Sequence, residues 1–168
     1  MCIRDRLKPV FKNKGSVSAG NASSLNDGAA FLALASSEYI KANKIKPLAK
    51  VLAWSSSAGN PDYMGITPIT AIQKLMKKMS VNISFFDLIE INEAFAATSV
   101  AVQRSLKIDP NKLNIAGGAI ALGHPIGCSG TRIVTTLAHQ LKRTKNKFGV
   151  ASMCIGGGQG LAMAIEKL

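Results

Sequence analysis

The sequence predicts an α/β fold in which helices cover both faces of a mixed, mostly parallel sheet. Short apolar segments alternate with amphipathic segments along most of the 168 residues, which is typical of strands that alternate with helices. Strands separated by helices run parallel, whereas a tight turn between the last two strands makes that pair antiparallel. Two glycine-packed turns, at Gly117–Gly130 and Gly156–Gly160, interrupt the second half of this pattern.

The first half of the chain predicts two helices and one strand. Apolar residues near helical spacing predict a helix over Ala29–Asn43. The short apolar segment Leu48–Trp54 predicts a buried strand. Thr67 and Pro68 form an N-cap followed by a proline at the first helical position, so an amphipathic helix is expected over Ile69–Met79.

The second half predicts two more helices and four strands, which completes the order βαβαβαββ. A glycine-packed turn that holds a histidine precedes the longer helix, and a tight glycine turn joins the last two strands. The expected elements are strand Phe86–Ile91, a helix from Asn92 to about Leu106, strand Asn114–Ala116, a helix to about Arg143, and strands Lys147–Ile155 and Leu161–Glu166.

Composition narrows the classes of partner. The net charge is +12, from 21 Lys and Arg against 9 Asp and Glu. This charge fits either the phosphates of a nucleotide-bearing cofactor or a solvated lysine-rich surface. Aromatic residues make up only 5% of the chain and do not interleave with the lysine clusters, which argues against a nucleic-acid partner. No segment is apolar for long enough to predict a membrane span.

The cysteines indicate a reducing compartment. Cys2, Cys128 and Cys154 are the only three in the chain, too few and too odd in number for a disulfide framework. We therefore expect a cytoplasmic protein. His124 and Cys128 are four residues apart, as two metal ligands on a helix would be, but Pro125 makes that turn irregular and no second pair completes a tetrahedral set. No metal is expected.

The two glycine-packed turns predict a reactive site that contains a histidine and a cysteine. His124 is one of two histidines in the chain and lies among glycines, which leave little bulk over its imidazole. Cys154 lies immediately before the glycine turn that begins at Gly156, where backbone N–H groups can bind an oxyanion. An exposed base and thiol of this kind suit the chemistry of a bulky thioester.

Five motifs in this order resemble those of the thiolases, the acetyl-CoA C-acyltransferases. They are similar to the family patterns (S/T)AGNAS…NDGA, P-x-x-M-G, NEAF, GGAIALGHPxGxSG and CxGGGxG. In this chain they are Ser18–Gly28, Gly59–Gly65, Asn92–Phe95, Gly117–Gly130 and Cys154–Gly160. The resemblance extends from about Lys8 to Leu168.

The resemblance implies the C-terminal portion of the thiolase fold. Residues 1–6 are interpreted as a sequence scar or truncation edge, 7–45 as the end of the N-terminal domain, and 46–168 as the C-terminal domain. The N-terminal half of the family, which carries the cysteine that becomes acylated, is not matched. Cys2 does not match it, and Cys128 stands where the family usually has alanine.

Roles for the site residues follow from the same resemblance. His124 is expected to activate the missing thiol, Cys154 to act as the general acid/base at the reacting carbon, and Asn92 to order a water in an oxyanion hole. Gly156 is expected to supply a backbone donor. Residues bordering coenzyme A or the acyl pocket are expected to be Ala19, Gly20, Ser23, Met64 and Phe95.

Each assignment has a structural alternative. His124 and Cys154 are alternatively core residues, Asn92 a helix N-cap, and Glu93 a first-turn partner of the helix dipole. Met64 and Phe95 are interpreted equally well as core packing or as pocket walls.

The implied reaction is the reversible Claisen condensation or thiolysis of acetoacetyl-CoA or a longer 3-ketoacyl-CoA, with coenzyme A as substrate or product and no other cofactor. The full-length enzyme is expected to be a homodimer or homotetramer, and this chain alone to be inactive. Two alternatives are a decarboxylating ketoacyl synthase of related fold, which pairs its cysteine with two histidines, and a non-catalytic CoA-binding half.

Overall fold

A four-stranded mixed sheet forms the centre of the structure, a computed structural model that describes residues 3–168. The segment 1–6, interpreted as a scar or truncation edge, therefore falls partly outside the described residues, together with Cys2, whereas Ile3–Arg6 forms a 3-10 helix. The helices are α1 (Ser37–Ala42), α2 (Thr67–Met79), α3 (Ala96–Leu106), α4 (Ala119–Leu122) and α5 (Ser129–Thr144). The strands are β1 (Ala49–Ala58), β2 (Leu88–Ile91), β3 (Phe148–Ile155) and β4 (Gln159–Lys167).

The prediction of a mixed sheet is correct, but the prediction that it is mostly parallel is wrong. The strand order is β1-β4-β3-β2. Only β2 and β3 pair in parallel, while β4 pairs antiparallel with both β3 and β1. The tight turn before β4 fixes one antiparallel pairing, and β1 then adds to the free edge of β4. Sequence periodicity carries no information on which edge a strand joins.

The predicted strand Asn114–Ala116 does not form, because one side chain takes the hydrogen bonds that a strand would make. Asn114 has a positive φ of 47°. Its side-chain oxygen accepts from the Ile91 N–H at 2.8 Å, and its Nδ2 donates to the Ile91 carbonyl at 3.0 Å. A single parallel bridge between Ile89 and Leu113 is all that remains of the predicted pairing.

Helices cover both faces of the sheet, as predicted. On one face α2 and α3 pack through Ile72, Leu75 and Val102 onto the sheet. On the other face α5 contributes Ile133 and Leu137. The amphipathic patterns of α2 and α5 are therefore confirmed. None of the helices in the described part of the chain is both long and apolar enough to span a membrane.

Two predicted helices start later than expected. The helix predicted for Ala29–Asn43 is confined to α1, and the preceding segment leaves Phe31 94% and Leu34 81% exposed. Short helices are marginal unless an apolar face packs, and within residues 3–168 this face has no partner. The helix predicted to open at Asn92 instead begins at Ala96.

The loop Ser18–Gly28 keeps the segment before α3 extended. Ser23 N–H donates to the Ala94 carbonyl at 3.0 Å, and Ala96 N–H donates to the Asn21 carbonyl at 2.8 Å. These long-range bonds use backbone groups that a helical turn would have used. The loop therefore positions the residues between β2 and α3.

Gly160 lies where α2 approaches β4 closely, which leads to a testable prediction about a side chain at this position. A Cβ at Gly160 would lie 2.6 Å from the Thr67 carbonyl oxygen and 2.8 Å from Ser57 Oγ. We expect Gly160→Ala to lower the free energy of unfolding by about 1–3 kcal/mol, because backbone must shift. At Gly127 a Cβ meets nothing within 4 Å, so Gly127→Ala should change stability by less than about 0.5 kcal/mol. Urea unfolding of the two variants tests this, and equal losses would contradict it.

Candidate active site

The site lies at the edge where the parallel strands β2 and β3 end. Asn92 follows β2 directly, and its backbone N–H donates to the Ser152 carbonyl of β3 at 3.0 Å. Cys154 lies two residues beyond Ser152, next to the end of β3. Since the carboxyl ends of parallel strands meet at one edge, the topology brings these two predicted residues together.

His124 is held in the turn between α4 and α5 by the loop Ser18–Gly28. Its backbone N–H faces the Ser24 carbonyl at 3.2 Å and Asn26 Oδ1 at 3.3 Å. Gly123 has a φ of +99°, and a Cβ there would collide with the Asn26 amide. Glycine is therefore required immediately before the histidine, both for the backbone conformation and for the space.

The structure places the His124 imidazole in direct contact with the Asn92 side chain. Asn92 Nδ2 lies 3.2 Å from His124 Nε2, and Ser129 Oγ lies 2.6 Å from His124 Nδ1. The Ser129 hydroxyl also donates to the Pro125 carbonyl at 3.0 Å. Both ring nitrogens therefore have partners, while the ring itself is half-buried.

Burial is the main cause of a lowered pKa for His124, and the positive charge of Arg132 adds to it. The imidazole is therefore neutral at neutral pH, which is the form that can accept a proton. A neutral ring in this position can act as a general base.

A buried ion pair lies behind Asn92. The Arg132 guanidinium donates from Nη2 to Asn92 Oδ1 at 3.3 Å, and its Nη1 lies 4.0 Å from Glu90 Oε2. Glu90 is only 2% exposed. Burial raises the pKa of Glu90 to about 7; Arg132 lowers that pKa, and Glu93 raises it further.

Asn92 and Glu93 do not fill the cap roles offered as alternatives. Asn92 is fully buried four residues before α3, whose N-cap is Phe95. The Glu93 carboxylate accepts from the Ile120 N–H at 3.2 Å and from Asn114 Nδ2 at 3.0 Å. It therefore binds the first turn of α4 rather than of α3, and a Cβ at Gly118 would collide with it.

Cys154 is buried, and desolvation raises the pKa of its thiol, while a backbone hydrogen bond only partly offsets this. Within residues 3–168 no hydrogen bond joins this thiol to His124 or Asn92. A Cβ at Gly156 meets nothing within 4 Å, so the turn beside Cys154 faces open space.

Of the five residues expected to border coenzyme A or the acyl pocket, Ser23 and Phe95 lie next to each other in the fold. Ser23 Oγ donates to the Ala94 carbonyl at 3.0 Å, so its side chain helps to attach the loop to the segment before α3. Ala19 is exposed and Gly20 half-buried on the same loop. Phe95 lines an apolar cavity of about 480 Å³.

Met64 does not line that cavity, although its neighbours Tyr63, Gly65 and Ile66 do. Its side chain is 37% exposed, and its carbonyl accepts from the Thr67 hydroxyl at 2.7 Å. Of the two residues expected near the acyl group, only Phe95 therefore lines this cavity.

Four site residues were not predicted from the sequence. Ser129 and Asn26 position His124, and Arg132 and Glu90 position Asn92. Glu90 carried a signal, since a carboxylate inside an apolar strand needs a partner. For the other three no pattern in the sequence indicated which residue they would contact.

Within residues 3–168, no three His, Cys, Asp or Glu side chains converge in a way that could hold a metal ion. The site therefore consists of a base, an amide, a thiol and glycine-rich backbone around an open edge of the sheet, which is a combination suited to acyl transfer.

Comparison with known proteins shows which family this chain belongs to. The C-terminal domain of thiolase matches residues 45–167, and the N-terminal domain of thiolase matches residues 5–38. The chain belongs to the thiolase family. The expected thiolase fold is confirmed, because the chain superposes on a Bacillus anthracis acetyl-CoA acetyltransferase with a TM-score of 0.96 at 48% identity, covering 98% of this chain and 42% of that one.

Two further relatives are similar over nearly the whole chain. Human mitochondrial 3-ketoacyl-CoA thiolase in complex with CoA has a TM-score of 0.90 and 43% identity, over 98% of this chain and 42% of that one. Rat mitochondrial 3-ketoacyl-CoA thiolase is 49% identical over 95% of this chain and 40% of its own length. The chain thus spans about two fifths of the length of its relatives.

The raised pKa of Glu90 predicts a pH-dependent stability. The carboxyl has a pKa of 4.5 when unperturbed and about 7 in the fold. A raised folded-state pKa stabilises the protein below the unfolded value, and this contribution is lost as pH rises through the folded value. We expect Glu90→Gln to lose this pH-dependent part of the stability, because the amide does not titrate. The Tm of the wild type should therefore fall relative to that of the variant as the pH rises from 4.5 to about 7.

His124 contributes in the opposite direction, because its lowered pKa costs stability as pH falls. Both proteins contain His124, so the difference between their melting temperatures reports mainly on residue 90. Thermal unfolding of both proteins across this range tests the prediction. Parallel pH profiles would show that Glu90 does not titrate with a raised pKa.

Proposed function

We propose that this chain supplies the C-terminal part of a thiolase active site. The whole enzyme condenses two acyl-CoA molecules, or cleaves acetoacetyl-CoA or a longer 3-ketoacyl-CoA with coenzyme A. The observation that carries this proposal is the 3.2 Å contact between Asn92 and His124 Nε2 at the edge of the sheet where Cys154 lies.

In this proposal His124 is the base for the nucleophile. Its Nε2 takes the proton of an attacking thiol, and the resulting thiolate bonds to the thioester carbonyl carbon. Asn92 and the protonated imidazole then stabilise the charge on the carbonyl oxygen, Asn92 through an ordered water. The carbonyl reforms as coenzyme A leaves as a thiol, which carries away the proton and gives an acyl-enzyme.

Cys154 and Gly156 serve the second half of the reaction. The Cys154 thiolate removes a proton from the α-carbon of a second acyl-CoA, and that carbon bonds to the carbonyl carbon of the acyl-enzyme. The nucleophilic cysteine leaves as a thiolate, and the Cys154 thiol returns its proton to that thiolate. The Gly156 backbone N–H stabilises the enolate oxygen. The raised pKa of Cys154 makes it a stronger base once ionised, and a bound ligand would have to favour that ionisation.

The nucleophile itself is assigned to a thiolase N-terminal half. Cys128 is buried behind Gly28, and Cys154 has the other role. We propose that residues 7–45 complete the N-terminal domain and that residues 46–168 form the C-terminal domain, a division that the two family matches support.

Coenzyme A is proposed to bind along the loop at Ala19, Gly20 and Ser23, with Phe95 and Met64 near the acyl group. The CoA bound to the human relative and the net charge of +12 support this. We propose a homodimeric or homotetrameric, cytoplasmic enzyme that needs no cofactor besides this substrate.

A decarboxylating ketoacyl synthase is less well supported. That chemistry pairs the cysteine with two histidines, whereas His124 here pairs with Asn92, and His139 is exposed on α5. A non-catalytic CoA-binding half would bind coenzyme A but would not restore turnover.

The proposal is tested by joining this chain to the N-terminal half of the Bacillus anthracis enzyme. We expect the fusion to consume acetoacetyl-CoA in the presence of coenzyme A, and the 168-residue chain alone to show neither turnover nor an acyl adduct by intact mass. A folded but inactive fusion that binds coenzyme A would favour the non-catalytic alternative.

The two buried thiols should behave differently in this fusion. We expect Cys154→Ala to reduce condensation to near background, because it removes the general acid/base. Cys128→Ala is the matched control and should be mild, since its side chain only fills space beside Pro125 and Gly28. Steady-state rates decide, and equal losses would contradict the assignment.

Asn92→Ala should lower kcat by about 10- to 1000-fold, the range for an oxyanion-hole donor or its water. Replacing Asn92 with Asp is a useful comparison, because a carboxylate cannot donate to the oxyanion. A variant that melts at a lower temperature but turns over normally would assign Asn92 a structural role only.

A further inference from the structure

Behind His124, a series of side-chain contacts runs through Asn92 and Arg132 to Glu90. The last of these contacts is a long ion pair. Glu90 Oε2 and Arg132 Nη1 are 4.0 Å apart, and neither atom has a hydrogen-bond partner among the described residues. Buried charges are costly unless they are paired and hydrogen-bonded. A pair that served stability alone would be expected to close this gap, and instead the guanidinium directs Nη2 at Asn92.

The guanidinium selects one of two orientations of the Asn92 amide. An asparagine side chain presents an acceptor oxygen at one end and two donors at the other. Arg132 is always charged and can only donate, so it favours Oδ1 on its own side, at 3.3 Å. A rotation of the amide by 180° would place two sets of donors face to face in a fully buried position.

This orientation leaves Nδ2 facing His124 Nε2, at 3.2 Å. Nδ2 can only donate, so Nε2 must be the nitrogen without a proton. The opposite side of the ring leads to the same assignment. Ser129 Oγ lies 3.0 Å from the Pro125 carbonyl and 2.6 Å from Nδ1, so it can donate to the carbonyl while it accepts from Nδ1–H.

We propose that Arg132, held by Glu90, is a positioning residue that fixes the Asn92 amide and thereby keeps His124 in the Nδ1–H tautomer. Arg132 touches no reacting atom and acts through Asn92. Its consequence for catalysis rests on the proposed function, because Nε2 is then the unprotonated nitrogen, and it takes the proton of the nucleophile once Asn92 Nδ2 donates to the ordered water instead. The tautomer itself does not depend on that function.

The proposal also explains why a cation lies so close to a catalytic base. Such a charge works against protonation of the ring at rest, so His124 stays neutral and available as a base. The Arg132 side chain is 19% exposed, and its Nη2 lies behind Asn92, where only the amide separates it from the imidazole.

Nitrogen NMR of the 168-residue chain labelled with ¹⁵N-histidine tests the proposal. The chain has only two histidines, and the exposed His139 is an internal reference for an imidazole in water. Protonated and unprotonated ring nitrogens resonate well apart, so the tautomer of each ring can be measured where both are neutral. We expect Nδ1–H for His124, and for His139 the Nε2–H form that a histidine side chain in water prefers.

Arg132→Met removes the charge and the donors while keeping a long side chain. We expect it to shift His124 to a mixture in which Nε2–H is the larger share, and Arg132→Lys to retain Nδ1–H. The matched control is Arg143→Met, an exposed residue near the end of α5, which should leave His124 unchanged. Arg132→Gln is the second variant if Arg132→Met does not fold, and its amide can accept as well as donate, so it should also give a mixture.

Two results would overturn the proposal: an Nε2–H tautomer for His124 in the wild type, or an unchanged Nδ1–H tautomer in a folded Arg132→Met or Arg132→Gln variant. In the active fusion, Arg132→Met should lower kcat with little effect on KM. An inactive wild-type fusion whose His124 still shows the Arg132-dependent tautomer would count against the proposed function and not against this inference.

Discussion

The contact between the Asn92 amide and the His124 imidazole is the interaction on which the rest of the site depends. The two residues lie 32 positions apart in the chain, one after a strand and the other in a turn before a long helix. Neither is positioned by its own element alone. The parallel pairing of β2 with β3 fixes the Asn92 backbone, and the loop Ser18–Gly28 fixes the His124 backbone.

That loop also explains an irregularity in the architecture. By bonding to Ala94 and Ala96 it holds the segment after Asn92 extended, and it binds the N–H of His124 at its other end. One loop therefore sets the spacing between the two halves of the site. The close approach of Asn26 to Gly123 shows why bulk is excluded there.

Charge in the interior is arranged for positioning more than for stability. Glu90 and Arg132 are separated by 4.0 Å. Arg132 donates directly to the Asn92 side chain, whereas Glu90 is connected to Asn92 only through Arg132. Desolvation raises the pKa of Glu90 and lowers that of His124. Both shifts oppose charge on these two groups, whereas Arg132 stays charged and lowers the pKa of both.

The α/β class, the amphipathic helices α2 and α5, the family and the candidate residues His124, Asn92 and Cys154 could all be predicted from the sequence. Periodicity and glycine placement are local properties, so a single chain displays them directly. Tertiary structure alone decided the strand order, the loss of the strand predicted at Asn114–Ala116, and the late start of α3. It also decided the partners Ser129, Arg132 and Glu90, because a hydrogen bond depends on which distant groups the fold brings within about 3 Å of each other.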